Sequence, residues 1–394
     1  MIERNLTPLV RDRFQRSPFV TVTGPRQSGK TTLCRAAFPD LTYVSLEAPD
    51  LRAHAQEDPR GFLEAAGTPA ILDEIQRVPD LLSYLQVQSD ERGDPGQYVL
   101  TGSKNFTLLR GLSQSLAGRT AIFHLLPLGF DELQGFEDRP TDLNDVLFHG
   151  SYPRIFDRGL DPAEWYADHV TTYVERDLRQ VHDVRDLLQF RTFLGLCAGR
   201  SGGLLNLSSL GGDCGVDGKT VKAWIAALEA SFLALRLPPL HRNLRKRLTR
   251  SPKLYFYDTG LLCHLLGIRS AEQIRTHPLR GAIFETWVVG EILKARYHHG
   301  VRGGESFYRD HSGHEVDVVL STAELTTAVE VKAGRTISSE FLGPLHRFRD
   351  LMQAAEPPER VETVLVYGGD QESPRSGTRL VPWASVASQR WSDC

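Results

Sequence analysis

Near the start of the chain, Gly24-Pro25-Arg26-Gln27-Ser28-Gly29-Lys30-Thr31 has the spacing G-x-x-x-x-G-K-[ST]. An apolar run, FVTVT, precedes it and helix-forming residues follow, which is the setting in which such a loop holds phosphate. The glycines let backbone N–H groups curl around a β-phosphate, and the helix N-terminus adds positive potential. Lys30 would reach β and γ oxygens and Thr31 would ligate Mg2+, so the nucleotide-contacting set runs from Gly24 to Thr32. Further on, PAILDE supplies an apolar strand ending in acids: Asp73 to hold the Mg2+ shell, Glu74 to orient and deprotonate an attacking water. A third run, YVLTGS, ends at Ser103, where a γ-phosphate sensor would sit; a plain strand-end turn reads equally well.

A second constellation lies in LSSLGGDCGVDGKTVKAWIAALEASFLAL, which reads as a short helix, a Gly-rich turn and a helix capped by Asp217. Val221, Trp224, Ile225 and Leu228 recur at helical spacing and form a buried face. Lys219, Thr220 and Lys222 are left at the exposed N-terminal part, where a recognition helix meets a DNA groove. Two apolar runs, 232–237 and 254–257, flank the loop HRNLRKRLTRS, the layout of a winged helix. From Arg242 to Lys253 there are six cations, Arg242, Arg245, Lys246, Arg247, Arg250 and Lys253, and no acid, a footprint suited to phosphates. A winged helix used only to pack against protein is the competing reading.

The third constellation is EVDVVL followed by AVEVK. Strand alternation sets Asp317 opposite Val316 and Val318, and puts Glu330 and Lys332 on one face. Two carboxylates, Asp317 and Glu330, can ligate Mg2+ while Lys332 orients water or neutralises a phosphorane, a trio suited to phosphodiester hydrolysis. It is similar to the PD-(D/E)xK nuclease fold, in which a preceding helix often gives a further acid. By that likeness Glu285 in GAIFETWVVGEILK is the helix acid, with Glu291 as the alternative. A salt-bridged strand face is the structural alternative, and this fold also persists as a non-cutting binding module.

These groups need elements to hold them. The first third alternates short apolar runs, at 19–23, 41–46, 70–72, 98–101 and 121–125, with helical stretches, the pattern of a parallel sheet wrapped by helices. LPLGFDELQGFEDRP then mixes Pro, Gly and acids and reads as a boundary. From 143 to about 268 the chain reads as mostly helical; beyond 281 a helix leads into strand-like runs at 315–320, 327–332 and 363–367. The expected division is therefore 1–135, 136–270 and 271–394, and 394 residues are more than one core usually organises.

Composition narrows the classes. Hydrophobic residues make up 41% and charged residues 24%, which argues against disorder, collagen and coiled coil. A net charge of −3 excludes a globally basic nucleic-acid binder but leaves local patches open. No apolar run suits a signal peptide or a membrane helix, so a cytoplasmic protein with no membrane partner is expected. Five cysteines without a C-x-x-C pair read as reduced thiols, and thirteen scattered histidines suggest no metal or triad site.

The strings SLEAPD, ILDEIQRVPDLL, LTGSKNFTLL, SLAGR and LPLGFDEL, with YPRIFD, YVERDL, KLYFYDTGLL, GAIFETWVV and HEVDVVL, resemble bacterial and archaeal AAA+ ATPases whose C-terminal domain is of unknown function. The resemblance spans nearly the whole chain and implies an AAA-type fold, ATP and Mg2+. By it Arg119, in SLAGR, matches a position where such ATPases place a charge-neutralising arginine, an Arg ending a helix at the domain surface reading equally well, and the protein is expected to be a homo-oligomer whose sites borrow an arginine from a neighbour. The expected fold is α/β: an AAA-type P-loop parallel sheet, then a helical winged-helix domain, then an α/β PD-(D/E)xK nuclease-like domain. The expected function is Mg2+-dependent ATP hydrolysis with DNA binding and DNA cleavage. Its rival is an ATP-driven switch that binds a protein partner without cutting.

Overall fold

A computed structural model describes residues 2–103, 115–174, 187–240, 249, 251–355 and 358–391. These form two compact units. The first comprises residues 1–128 with 230–232 and 297–300; the second comprises 129–229, 233–296 and 301–394.

The first unit is built on five parallel strands: β1 (Phe19–Thr23), β2 (Thr42–Ser45), β3 (Ala70–Asp73), β4 (Tyr98–Gly102) and β5 (Thr120–His124). Their order in the sheet is β2-β3-β4-β1-β5. Each expected run became a strand with ends shifted by a residue or so. β1, β3 and β4 are buried along their whole length, whereas the edge strand β2 is half exposed, as apolar runs covered on both faces require. Alternation sorts the core in two. Phe19, Leu72 and Leu100 pack with Leu63 and Leu85 from helices Pro59–Ala66 and Leu81–Arg92. Val20, Ile71 and Val99 pack on the other face with Val10 and Leu33 from helices Thr7–Phe14 and Lys30–Ala37.

The second unit takes in both the 136–270 and 271–394 segments, whose side chains share one hydrophobic cluster. Helices Leu207–Cys214 and Gly218–Ala230 lead to an antiparallel pair, β6 (Ala234–Leu237) and β7 (Lys253–Phe256). Asn206 Oδ1 accepts from the Ser209 N–H at 3.0 Å and Asp217 Oδ1 from the Thr220 N–H at 2.6 Å, so both helices carry side-chain caps. The remaining strands form a six-stranded sheet in the order β12-β13-β11-β10-β9-β8: β8 (Glu305–Arg309), β9 (Glu315–Ser321), β10 (Thr326–Lys332), β11 (Val361–Tyr367), β12 (Pro374–Arg375) and β13 (Thr378–Pro382). The hairpin is stitched to this sheet at β8: the Leu240 and Phe307 N–H groups donate to the Phe307 and Pro238 carbonyls at 2.7 and 3.0 Å. Helix Arg280–His298 contributes Ile283, Trp287 and Ile292 to the shared cluster, and helix Gly343–Gln353 covers Leu365 and Tyr367.

Asp258, in the DTG that follows β7, is a buried hub of this unit. Its carboxylate accepts from the Ser151 and Leu261 N–H groups at 2.7 and 2.8 Å, and from the Ser151 and Tyr166 hydroxyls at 2.9 and 2.6 Å. Of the cysteines, Cys34, Cys197, Cys214 and Cys263 are buried free thiols, while Cys394 lies outside the described residues. No helix among the described residues is long and apolar enough to cross a membrane.

Candidate functional site

Because the first sheet is parallel, the C-terminal ends of β1, β3 and β4 lie along one edge, and the phosphate loop, Asp73, Glu74 and Ser103 all stand at those ends. After β1, Gly24 approaches the end of β5 so closely that a Cβ there would lie 2.1 Å from the Leu125 carbonyl oxygen. At the other end of the loop Gly29 takes φ 92°, ψ 19°, a left-handed turn that glycine adopts at least cost, and starts the helix at Lys30. The Ser28 hydroxyl donates to the Pro25 carbonyl at 2.9 Å. A residue that the sequence reading missed fixes the loop from outside: buried Arg4 donates from Nη1 to the Ser28 carbonyl at 2.7 Å and from Nη2 to the Leu126 carbonyl at 2.9 Å. Pro25 is buried, Arg26 half-buried, and Gln27 and Thr32 exposed.

The Lys30 ammonium is buried and donates to the Pro25 and Gly24 carbonyls at 2.7 and 3.1 Å. Burial pushes its pKa down to about 8, against the pull of the Glu74 and Asp73 charges. Thr31 Oγ1 donates to Asp73 Oδ2 at 3.0 Å, which brings the two expected Mg2+ ligands together. Two further hydroxyls orient that carboxylate: Tyr43 from β2, at 2.6 Å, and Thr101 from β4. Burial and the hydrogen bond to Asp73 push the Tyr43 phenol up to about 12, so it stays a donor.

Glu74 follows in a left-handed conformation, φ 58° and ψ 42°, which costs a non-glycine residue roughly 1–3 kcal/mol. The Thr101 hydroxyl accepts its N–H at 3.3 Å. Glu74 Oε2 in turn accepts from Gln76 Nε2 at 2.5 Å and from the Ser103 hydroxyl at 3.3 Å. Ser103 is therefore beside the expected base, and Gln76 is a member of the group that the sequence reading did not name. Its signal was available, since Gln76 shares ILDEIQ with both acids.

Arg119 is not brought to this cluster. It precedes β5, its carbonyl pairs with the Phe19 N–H at the opposite end of β1, and its guanidinium is forked onto Asp90 at 2.6 and 2.9 Å. Five residues of β1 at about 3.3 Å each put about 15 Å between Arg119 and the phosphate loop.

In the second unit, Lys219 and Lys222 are exposed and Thr220 half-buried at the start of helix Gly218–Ala230, whose Val221, Trp224, Ile225 and Leu228 are buried as expected. Arg242, Arg245, Lys246, Arg247 and Arg250 lie outside the described residues. Lys253 corrects the expected basic stretch: it is only 2% exposed and cannot face a phosphate backbone. As the first residue of β7 it points its ammonium at the acids of the third constellation. It lies 3.0 Å from Glu285 Oε1, 2.5 Å from Glu315 Oε1 and 3.5 Å from Asp317 Oδ1.

The acids around it are held by further donors. Tyr255, two residues on in β7, donates to Glu285 Oε1 at 2.5 Å, and Arg309 pairs with Glu315 Oε2 at 2.9 Å. The β9–β10 register runs to Val318 and Val329; just beyond it, Asp317 Oδ2 accepts the Val331 N–H at 2.9 Å in place of a backbone carbonyl. Glu330 Oε1 accepts from Lys332 at 2.6 Å. Glu285, Asp317, Glu330 and Lys332 thus do gather, joined by Glu315, Lys253 and Tyr255. Burial and the Asp317 charge push the Glu285 and Glu330 carboxyls up. Glu291, the alternative helix acid, is instead buried with Lys294 and accepts the Phe130 N–H at 2.9 Å. Among the described residues no group of three His, Cys, Asp or Glu is arranged to hold a metal ion.

Comparison with known proteins matches residues 16–134 to the family described as AAA domain. Residues 140–272 and 280–386 match two domains of unknown function, DUF8612 and DUF4143. Uncharacterized proteins of Mycobacterium tuberculosis and Mycobacterium bovis are each 28% identical over 380 residues, 95% of this chain and 82% of theirs. Among solved structures, a Walker-type ATPase of Pyrococcus abyssi is 14% identical, with a TM-score of 0.46, over 66% of this chain and 94% of its own.

Proposed function

From the premise that residues 16–134 are an AAA-type P-loop ATPase domain, we propose that the chain hydrolyses ATP with Mg2+ and couples hydrolysis to DNA held by the second unit. The observation that carries the first half is the contact between Thr31 and Asp73, with Glu74, Gln76 and Ser103 beside it. Thr31 and Asp73 would hold Mg2+, which when bound neutralises charge on the β and γ oxygens. Lys30 would contact ground-state phosphates, Glu74 would take the proton of the attacking water, and Gln76 and Ser103 would fix the Glu74 carboxylate. Arg119 would act on the site of a neighbouring copy in a homo-oligomer. The test is Lys30→Ala against Glu74→Gln: the first should lose nucleotide binding. The second should bind normally and lose about 10²–10⁴-fold in turnover. Normal turnover by Glu74→Gln would refute the base assignment.

The DNA half rests on the helix–turn–helix followed by a hairpin, read as a winged helix with exposed Lys219 and Lys222, and on the run of arginines in the hairpin loop. The reading keeps the three segments 1–135, 136–270 and 271–394 as functional parts. Reversing Arg245, Lys246 and Arg247 to Glu should remove most duplex binding and flatten its salt dependence. Unchanged affinity would favour the second reading, an ATP-driven switch that binds a protein partner. The position of Lys253 favours that switch over a nuclease on one point: it sets a cation against Glu285 and Asp317, two of the acids the PD-(D/E)xK likeness assigns to cleavage.

A further inference from the structure

The nuclease likeness implies a divalent ion among Glu285, Asp317 and Glu330, and the residues themselves can be asked whether they fit one. In favour, three carboxylates converge, and Glu330 Oε2 is buried without a hydrogen-bond partner. Against it stands what already fills the cluster. We propose that the Lys253 ammonium is a built-in counter-ion that occupies the place of the divalent metal, so that this cluster is a structural anchor and not a metal-dependent cleavage site.

Three observations carry this. First, the ammonium lies within 3.0 Å of oxygens from both Glu285 and Glu315 and 3.5 Å from Asp317. A Mg2+ ion must draw its oxygens to about 2.0–2.1 Å and complete an octahedron, which a second cation sharing those oxygens opposes. Second, each acid already has an oxygen committed to another donor: Glu285 Oε1 also accepts from Tyr255, Glu315 Oε2 from Arg309, Asp317 Oδ2 from the Val331 N–H and Glu330 Oε1 from Lys332. Third, Lys253 is not a side chain free to swing away. β7 is paired with β6, Leu254 exchanges backbone hydrogen bonds with Gly202 and Gly203 at 2.7 and 3.1 Å, and the ammonium sits 5.5 Å from the centre of the Phe307 ring. A lysine this buried needs counter-charge, and carboxylates this crowded need a cation; each meets the other's requirement. The inference holds whether or not the first unit hydrolyses ATP.

Mn2+ binding to the full chain, counted by electron paramagnetic resonance without nucleotide, tests it. Any ion at the phosphate loop is common to all variants and cancels in the comparison. Wild type, Asp317→Asn and Glu330→Gln are expected to bind the same number of ions. One fewer in either folded variant overturns the proposal. Lys253→Ala is expected to gain one Mn2+ per chain, with a rise in melting temperature on adding the ion, and the double variant Lys253→Ala/Asp317→Asn to lose it again. A folded Lys253→Ala that gains no ion overturns the proposal as well. Should Lys253→Ala fail to fold, Lys253→Met replaces it, and the wild-type comparison with Asp317→Asn and Glu330→Gln decides on its own.

Discussion

Raising the pH from 7 to 9 should weaken nucleotide binding by titrating one lysine. Lys30 is buried and its pKa is lowered from 10.5 to about 8, chiefly by burial. It is therefore about nine-tenths charged at pH 7 and about one-tenth charged at pH 9. If phosphates bind only the ammonium, ATP affinity falls about tenfold over this range, about 1.4 kcal/mol, in a window above that in which the terminal phosphate itself titrates. Binding must then draw a proton onto Lys30, about half a proton at pH 8 and nearly one at pH 9. Calorimetric titration in two buffers of different ionisation enthalpy reads that uptake directly. Glu74 is the largest charge holding the ammonium up, so Glu74→Gln should move the break to lower pH while leaving binding at pH 6.5 intact. Affinity that stays flat from pH 7 to 9 with no proton uptake would refute the assigned role of Lys30. The same shift bears on stability with a definite sign. A lysine whose folded pKa lies below its unfolded value makes the unfolded chain the better proton binder, so this term makes stability rise with pH between about 8 and 10.5.

Gly24→Ala should lower stability by about 2–4 kcal/mol, because its Cβ would meet a backbone oxygen at 2.1 Å that no rotamer change can relieve. Gly93→Ala, also at positive φ but with nothing within 4 Å, should cost only about 1 kcal/mol, and comparing denaturant midpoints checks the pair. His169, stacked 4.6 Å from Trp165, is held neutral, its pKa lowered from 6.5 to about 4 by burial and by His264. Its contribution is full above about pH 6.5 and is lost as the pH falls toward 4, at most about 3 kcal/mol. His169→Phe should flatten that limb of the stability–pH curve, and an unchanged limb would show that another group sets it.

The first sheet was legible because each strand is a short apolar run and each chemical motif ends one. Thr31, Asp73, Glu74 and Ser103 follow from adjacency along the chain. Tyr43, Thr101 and Arg4 do not, since a hydroxyl on a neighbouring strand or a guanidinium from the segment ahead of the first helix reaches the site only through the tertiary fold. Lys253 shows the limit most clearly. In one dimension it closes a run of cations and reads as outward-facing, yet KLYFY carried a contrary signal: a lysine and a tyrosine two apart on one face of a buried strand. The edge strand β8 and the strand β13, next to the other edge, escaped for a related reason. ESFYR alternates weakly and TRLVP ends in proline, so neither stands out from its loop.

The sheet order has a consequence for how the chain is made. β1 has no neighbour among β2 and β3; its partners are β4 and β5, which come much later in the sequence. On a ribosome the phosphate loop therefore emerges long before the strands that flank β1. β2 and β3 can pair early, but β1 stays an unpaired apolar strand until Tyr98–Gly102 arrives to slot between it and β3. Such long-range closure is slow and leaves apolar edges exposed meanwhile. Nucleotide cannot rescue an earlier intermediate, because Lys30 and Asp73 are not yet in one place. Synonymous changes that slow translation between β3 and β4 should thus lower the yield of folded protein more than the same changes placed after β5.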